Sequence, residues 1–246
     1  MGELIAVASG KGGTGKTSVT AGVANTLASM GKRVLCIDCD VGLRNLDISL
    51  GLSDLCPLTF LDVTVGGYPV SEATVHPKFP TLHFLTAPMN CAPESIDLAP
   101  LGAFLTDARH RYDYIFLDAP AGVDAGFRLA AKAADRCIVV TGAGPAAVRD
   151  ASRVGDLLEL MGKSGTRLVV NRIDRDMLST VRVTIDDVMD IAGLPLIGVV
   201  LEDANVTLAA AFGKPVLQYA KRCEAAKAFK RIAKRVQGIA TPIKLR

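Results

Sequence analysis

Residues 9–17, Ser-Gly-Lys-Gly-Gly-Thr-Gly-Lys-Thr, directly follow an apolar run at 4–8 and carry the chain's most specific chemistry. The spacing G-x-x-x-x-G-K-T, set by Gly10, Gly15, Lys16 and Thr17, is that of a phosphate-binding loop. With Gly10, Gly12, Gly13 and Gly15 around Thr14, backbone N–H groups can converge on phosphate oxygens. The helix that follows points its positive end at the same anion. Lys16 can reach the outer phosphates, and the Thr17 hydroxyl can ligate Mg2+. Lys11 is the unusual member, because a phosphate loop needs no second cation near its start. A cation there suggests a nucleotide held between two subunits.

Three acids stand where strands give out. Asp38-Cys39-Asp40 follows the apolar run 34–37, and acids two apart share a face if strand geometry persists that far. Asp118 follows the run 114–117 and opens Asp-Ala-Pro-Ala-Gly122. An acid after an apolar strand, ahead of a flexible glycine-bearing loop, suits a carboxylate that holds Mg2+ through water. A single such acid reads more simply as a helix cap or a solvated loop residue. Three of them in a chain with a phosphate loop point to metal and water chemistry.

Short apolar β-rich runs alternate with helical stretches, the pattern of a mostly parallel sheet covered on both faces. Strands are expected at 4–8, 34–37, 82–85, 114–117, 137–141, 168–171 and 196–201. Helices are expected at 17–30, 96–109, 126–134, 146–161, 185–192 and 224–236. In the first helix Val19, Val23, Leu27 and Met30 recur at roughly helical spacing, with Gly31 as a C-cap. The stretch 65–80 reads as a surface excursion, too short to separate domains. The expectation is an α/β fold of the P-loop NTPase type: one doubly wound domain over residues 1–246, with helices on both faces. Ligands of such sheets sit outside the carboxyl ends of the strands, where the polar residues above are placed.

Composition narrows the classes further. Of 246 residues, half are hydrophobic and 22% charged, a globular balance that excludes a disordered chain. No apolar run approaches the ~18–20 residues of a membrane span, and the N-terminus runs into a strand without the lead of a secretory signal. Six cysteines, at 36, 39, 56, 91, 137 and 223, form no dense disulfide framework. Cys36 and Cys39 could be read as a metal or redox pair, but an i, i+3 pair on a strand points to opposite faces. Free buried thiols are the preferred reading, which implies a reducing, cytoplasmic setting. Charge is uneven. Residues 214–246 carry ten Lys/Arg against one acid, Glu224, whereas residues 1–213 carry 18 bases and 24 acids. A basic end on an acidic body suits an anionic partner.

At this point SGKGGTGKT (9–17), DCDVGLRNLD (38–47), DAPAG (118–122), AVRDASR (147–153) and NRI (171–173) together resemble the MinD family. These are cell-division-site ATPases within the ParA/MinD group of deviant Walker A proteins. The likeness runs over essentially the whole chain. The loop marks only the group, which includes partition ATPases, nitrogenase-type iron proteins and flagellar regulators; GLRNLD after D-x-D is more specific to the MinD branch. The resemblance implies that Lys11 contacts the nucleotide across an ATP-sandwich dimer, that Lys16 and Thr17 serve phosphate and Mg2+, and that Ser18 adds an α-phosphate contact. It makes Asp40 the acid that orients the attacking water, Asp38 a support of the metal shell and Asp118 a further metal-side acid. Asn171 would read the adenine, and Asp150 corresponds to a residue linked to dimer and partner contacts. The implied cofactors are ATP and Mg2+. The implied activity is slow hydrolysis within an ATP-dependent homodimer, stimulated by a regulatory protein.

Three departures qualify the likeness. Family members usually continue past the final domain helix into a short amphipathic membrane anchor, and no counterpart of it is recognised after the Thr-Pro-Ile-Lys-Leu-Arg end at 241–246. Gly-Ala-Gly-Pro at 142–145 replaces a Thr-Pro-Glu-like segment, and Leu-Glu-Asp at 201–203 replaces a Pro-Glu-Asp-like turn. In helix 224–236, Ala225, Phe229, Ile232, Ala233 and Val236 form an apolar stripe, and Lys227, Lys230, Arg231, Lys234 and Arg235 cover the other side. The preferred reading is that the stripe closes the core. The basic face could then meet an anionic membrane, at the inner face of the cell membrane, or DNA. The competing functions are a flagellar-number regulator of the same branch, a DNA partition ATPase, and a metallocluster carrier using Cys91 and Cys137.

Overall fold

Strand β1 (Glu3–Ser9) is buried from Leu4 onward because it runs through the middle of a sheet. Its side chains alternate, Leu4, Ala6 and Ala8 entering one hydrophobic cluster and Ile5 and Val7 the other. The computed structural model describes residues 1–243 apart from 42, 56, 90–95, 97, 175, 177–179 and 181–182. After β1 come α1 (Lys16–Ser29), β2 (Val34–Asp38), α2 (Leu46–Leu50), α3 (Phe60–Thr64), β3 (Thr74–His76), β4 (Phe79–Leu85) and α4 (Leu98–Arg111). The chain continues through β5 (Tyr114–Ala121), α5 (Ala125–Ala133), β6 (Arg136–Thr141), α6 (Pro145–Leu160), β7 (Arg167–Ile173) and α7 (Ile185–Ala192). It closes with β8 (Leu196–Leu201), α8 (Ala204–Ala211), α9 (Val216–Tyr219) and α10 (Glu224–Val236).

The sheet has eight strands in the order β3-β4-β2-β5-β1-β6-β7-β8. All neighbours pair parallel except β3, which lies antiparallel on the edge of β4. From β1 the chain moves to β2 on one side, and from β5 it crosses β1 to reach β6 on the other. That reversal opens a crevice at the carboxyl ends of β1, β5 and β6. Residues of α4, α5, α6 and α7 such as Leu101, Phe127, Val154 and Val188 fill one face. Residues of α1, α2 and α10 such as Val19, Leu46 and Phe229 fill the other. This is the doubly wound arrangement expected.

The edge strand β3 falls inside the stretch expected to be a surface excursion. It is three residues long, and its Val75 is exposed, so it has no apolar alternation to read. Cys36 and Cys39 are free and enter opposite clusters, as an i, i+3 pair on a strand must. Cys137 is likewise shut in the core, away from any subunit-bridging role, and Cys91 lies outside the described residues.

Helix α10 does close the core. Its stripe of Ala225, Phe229, Ile232, Ala233 and Val236 is buried. It lies close because two neighbours lack side chains: a Cβ on Gly22 would stand 2.3 Å from the Phe229 ring, and one on Gly198 2.3 Å from Ile232. Arg136 donates to the Val236 carbonyl at the helix end, 2.7 Å, and the Arg235 guanidinium donates to Ile197 O and Thr241 O. No helix of the described residues is long and apolar enough to cross a membrane.

Candidate functional site

The turn between β1 and α1 forms because Gly13 and Gly15 both take φ 82°, a left-handed backbone that glycine adopts without a Cβ penalty. Gly15 caps α1 and, as glycine, has no side chain to bond the first-turn amides, which leaves them for an anion. Cβ atoms built on Gly12 and Gly13 would meet nothing within 4 Å, so the ground in front of the loop is open. Gly10 is constrained from behind instead: a Cβ there would stand 2.6 Å from the carbonyl oxygen of Asp150, on α6. Ser9 donates to the Lys11 carbonyl at 3.1 Å, while the Lys11 side chain stands exposed at the rim.

Behind the loop three groups converge. The Lys16 ammonium, almost fully buried, lies 3.0 Å from Asp118 Oδ2 and 3.2 Å from Thr17 Oγ1. Thr17 Oγ1 donates to the same carboxylate oxygen at 2.8 Å. Asp118 is the Cα partner of Val7 on β1 and of Asp38 on β2, so parallel pairing alone carries it to the loop's root. The strand continues through Asp118 to Ala121, past the point where the residue pattern ended it.

The second oxygen of Asp118 reveals a residue that motif reading missed. Thr20 is fully buried one turn along α1, and its Oγ1 lies 2.7 Å from Asp118 Oδ1 and 3.1 Å from the Lys16 carbonyl. A helical threonine ordinarily back-bonds to the preceding turn, which is why its sequence position gave no signal. Here the hydroxyl fixes the carboxylate's rotation. Thr20→Val is expected to lower the unfolding free energy by about 1–3 kcal/mol, the cost of a buried acceptor left without its donor. Urea unfolding reads it, and an unchanged midpoint and slope would show that Asp118 does not depend on this hydroxyl.

Asp38 and Asp40 occupy different positions rather than one shared face. Asp38 ends β2, fully buried, and its carboxylate accepts from three backbone amides: Asp40 N at 2.9 Å, Asn45 N at 3.2 Å and Leu46 N at 3.1 Å. Asp38, expected to support the metal shell, thus ties the backbone of Asp40, Asn45 and Leu46 to the end of β2. Burial, then the neighbouring Asp118 carboxylate, pushes its pKa up to about 7 against those amides and Lys16. Asp40 stands past the strand end and is half-buried. Burial raises its pKa, while Lys16 draws it down. Asp40 is thus within the field of both Lys16 and Asp118.

Beside the loop, Asn171 is buried within β7 and its Nδ2 donates to the Thr14 carbonyl at 2.7 Å. A Cβ on Gly15 would stand 2.3 Å from that nitrogen, so Gly15 is held both by backbone twist and by contact. Gly15, Ser18, Asn171 and Glu202 border a cavity of about 130 Å3. A wider depression of about 740 Å3 lies beside it and shares Leu201, Glu202 and Asp203. In the Leu-Glu-Asp turn, Asp203 accepts from Asn205 N at 3.0 Å and Ala225 N at 3.0 Å, tying the starts of α8 and α10 together. Gly144 and Pro145 start α6 as N-cap and first helical residue. The parts fit a magnesium nucleotide: an open amide cradle, a lysine and a hydroxyl at its head, a carboxylate beside them and a pocket next to Ser18.

Comparison with known proteins gives the same direction. The CbiA family, the CobQ/CobB/MinD/ParA nucleotide binding domain, matches residues 5–216. The septum site-determining protein MinD of Synechocystis sp. is 37% identical over 240 residues, spanning 97% of this chain and 90% of that protein. The MinD subunit type solved in the MinC:MinD cell division protein complex of Aquifex aeolicus superposes with a TM-score of 0.90 at 34% identity, over 98% of each chain. MinD of Pyrococcus horikoshii, solved with Mg-ADP, gives a TM-score of 0.84 at 29% identity over 96% of each chain. The chain belongs to the MinD family of septum site-determining proteins, within the wider CobQ/CobB/MinD/ParA group.

Proposed function

We propose that this chain is a Mg2+-dependent ATPase that works as a two-subunit switch in division-site placement. The observation that carries the reading is the convergence of Lys16, Thr17 and Asp118 within 3.2 Å at the open head of α1, with Lys11 exposed at the rim. ATP suits the site because the loop offers amides and a buried lysine to a polyphosphate, and the relative from Pyrococcus horikoshii was solved with Mg-ADP. Thr17 and Asp118 would hold Mg2+, which would supply charge compensation to the phosphates.

In this reading Lys16 turns from Asp118 to the outer phosphates. Thr17 and Asp118 face the metal, and Asp38 keeps the loop that carries Asp40 in place. Asp40 orients a water toward the γ-phosphate, Ser18 meets the α-phosphate and Asn171 borders the adenine. The remaining work is alignment and charge compensation rather than covalent chemistry. Lys11 reaches the nucleotide of the second subunit, so full compensation waits for the dimer and turnover is slow. The Aquifex relative was solved with MinC, and we assign a regulatory protein of that kind as the partner that adjusts the rate. A flagellar or partition role is the weaker reading, since the Synechocystis relative, 37% identical over 240 residues, is a septum site-determining protein.

Lys11→Ala tests the switch. Size-exclusion chromatography with ATP and Mg2+ is expected to show a dimer for the natural chain and a monomer for the variant, with ATP still bound by both. Dimerisation and hydrolysis equal to those of the natural chain would exclude the sandwich.

A further inference from the structure

Two consecutive residues of β7 hold two consecutive carbonyls of the phosphate loop. Asn171 Nδ2 donates to Thr14 O at 2.7 Å, and Arg172 Nη1 donates to Gly13 O at 3.0 Å. Successive residues of a regular strand point to opposite faces and could not do this together. They do so because the β7–β8 pairing slips between Val170 and Ile173, and Arg172 there takes φ 57°, left-handed for a residue with a side chain. Such a conformation costs on the order of 1–3 kcal/mol and persists only where surrounding structure enforces it. The guanidinium is held in turn by Glu202, which lines the same cavity beside Ser18 as Arg172 does: Nε to Oε2 at 2.8 Å and Nη2 to Oε1 at 3.4 Å.

Peptide planarity turns this grip into a directional device. In a trans peptide the carbonyl and the next N–H point in opposite directions. Holding Gly13 O and Thr14 O toward β7 therefore aims the amides of Thr14 and Gly15 away from β7, into the open cradle. We propose that Arg172, oriented by Glu202 and its own left-handed backbone, is a positioning residue that together with Asn171 presets two phosphate-binding amides. The inference rests on the nucleotide site read above and adds a role for a residue outside the phosphate-loop motif. An exposed Arg–Glu pair contributes little to folding by itself. Its effect falls on ligand binding, where preset donors spare the cost of ordering.

The experiment compares the natural chain with Arg172→Gly, Arg172→Ala and Glu202→Gln, using a fluorescent ATP analogue with Mg2+ for the Kd and thermal melting without nucleotide for stability. Arg172→Gly is expected to weaken binding by about five-fold, the weight of one hydrogen bond. Its melting temperature without nucleotide is expected to hold or rise, since glycine accepts φ 57° without strain. Arg172→Ala weakens binding similarly, and Glu202→Gln less. A residue with only a structural role would lose stability and affinity together, so a parallel fall of both in Arg172→Gly overturns the proposal. Unchanged affinity in both Arg172 variants overturns it as well while leaving the site intact. A natural chain that fails to bind the analogue overturns the site reading and this inference with it.

Discussion

Lys16→Ala is expected to lower ATP turnover by about 10²–10³-fold, the scale of losing one preorganised group that meets developing charge. The same change is expected to destabilise the fold before any nucleotide is added. Lys16 and Asp118 are both buried, 3.0 Å apart, and among the described residues Asp118 otherwise has only the Thr17 and Thr20 hydroxyls as side-chain donors. Removing one partner of a buried pair costs ~3–5 kcal/mol because the other charge is left uncompensated. The two effects separate in a second step. Adding Asp118→Asn to Lys16→Ala removes the stranded charge, so the melting temperature is expected to recover most of its loss. Turnover is not, because the outer phosphates still lack the Lys16 ammonium. Phosphate release and thermal melting on the single and double variants give the answer. A Lys16→Ala chain that hydrolyses ATP at the natural rate would remove Lys16 from the mechanism.

That coupling shows which parts of the site can be read without coordinates. The loop 9–17 is legible because a phosphate cradle demands glycine at fixed places, and the demand is local. Asp118 is legible as an acid beside a glycine-bearing loop. Thr20 is not, because its partner Asp118 reaches it only through the pairing of β1 with β5 and the packing of α1 over them. Arg172 stays hidden for a similar reason: its role depends on a slip in the β7–β8 register and a left-handed backbone, which no spacing rule reports. Asp38 is legible as an acid at a strand end, but the three amides it accepts from are not, because they come from backbone that only the folded turn brings round to it.

At the level of fold, the long apolar strands and amphipathic helices emerge from periodicity, and the burial of the α10 stripe follows from it directly. The edge strand β3 and the five-residue helices α2 and α3 do not, because elements so short contain too few residues for a period. Helix α3 is marked instead by a capping box, in which Thr59 accepts from Asp62 N at 3.1 Å and Asp62 Oδ2 accepts from Thr59 N at 2.7 Å.

Asp40→Ala separates water activation from binding and is expected to reduce turnover by about 10²–10⁴-fold, the usual effect of removing a positioned general base. Nucleotide affinity should hold, because the phosphates are met by Lys16 and by amides that Asp40 does not touch. The fold should also hold, since Asp40 is half-buried and the 39–46 loop is pinned by Asp38 through backbone amides that survive the substitution. A pH profile adds a second readout. Burial raises the Asp40 pKa, so the acid takes its proton at higher pH than an exposed aspartate does. As pH falls through that raised pKa the carboxylate is lost and the rate of the natural chain declines with it. The residual rate of Asp40→Ala should lack that decline, whereas a persisting acid limb would assign it to Asp38, whose pKa stands at about 7. The chain would then trap ATP without spending it, and in the two-subunit reading the variant should accumulate as the ATP-bound dimer on size-exclusion chromatography. Equal losses of affinity and turnover would instead place Asp40 among the binding groups, and natural turnover would remove it from the water's path.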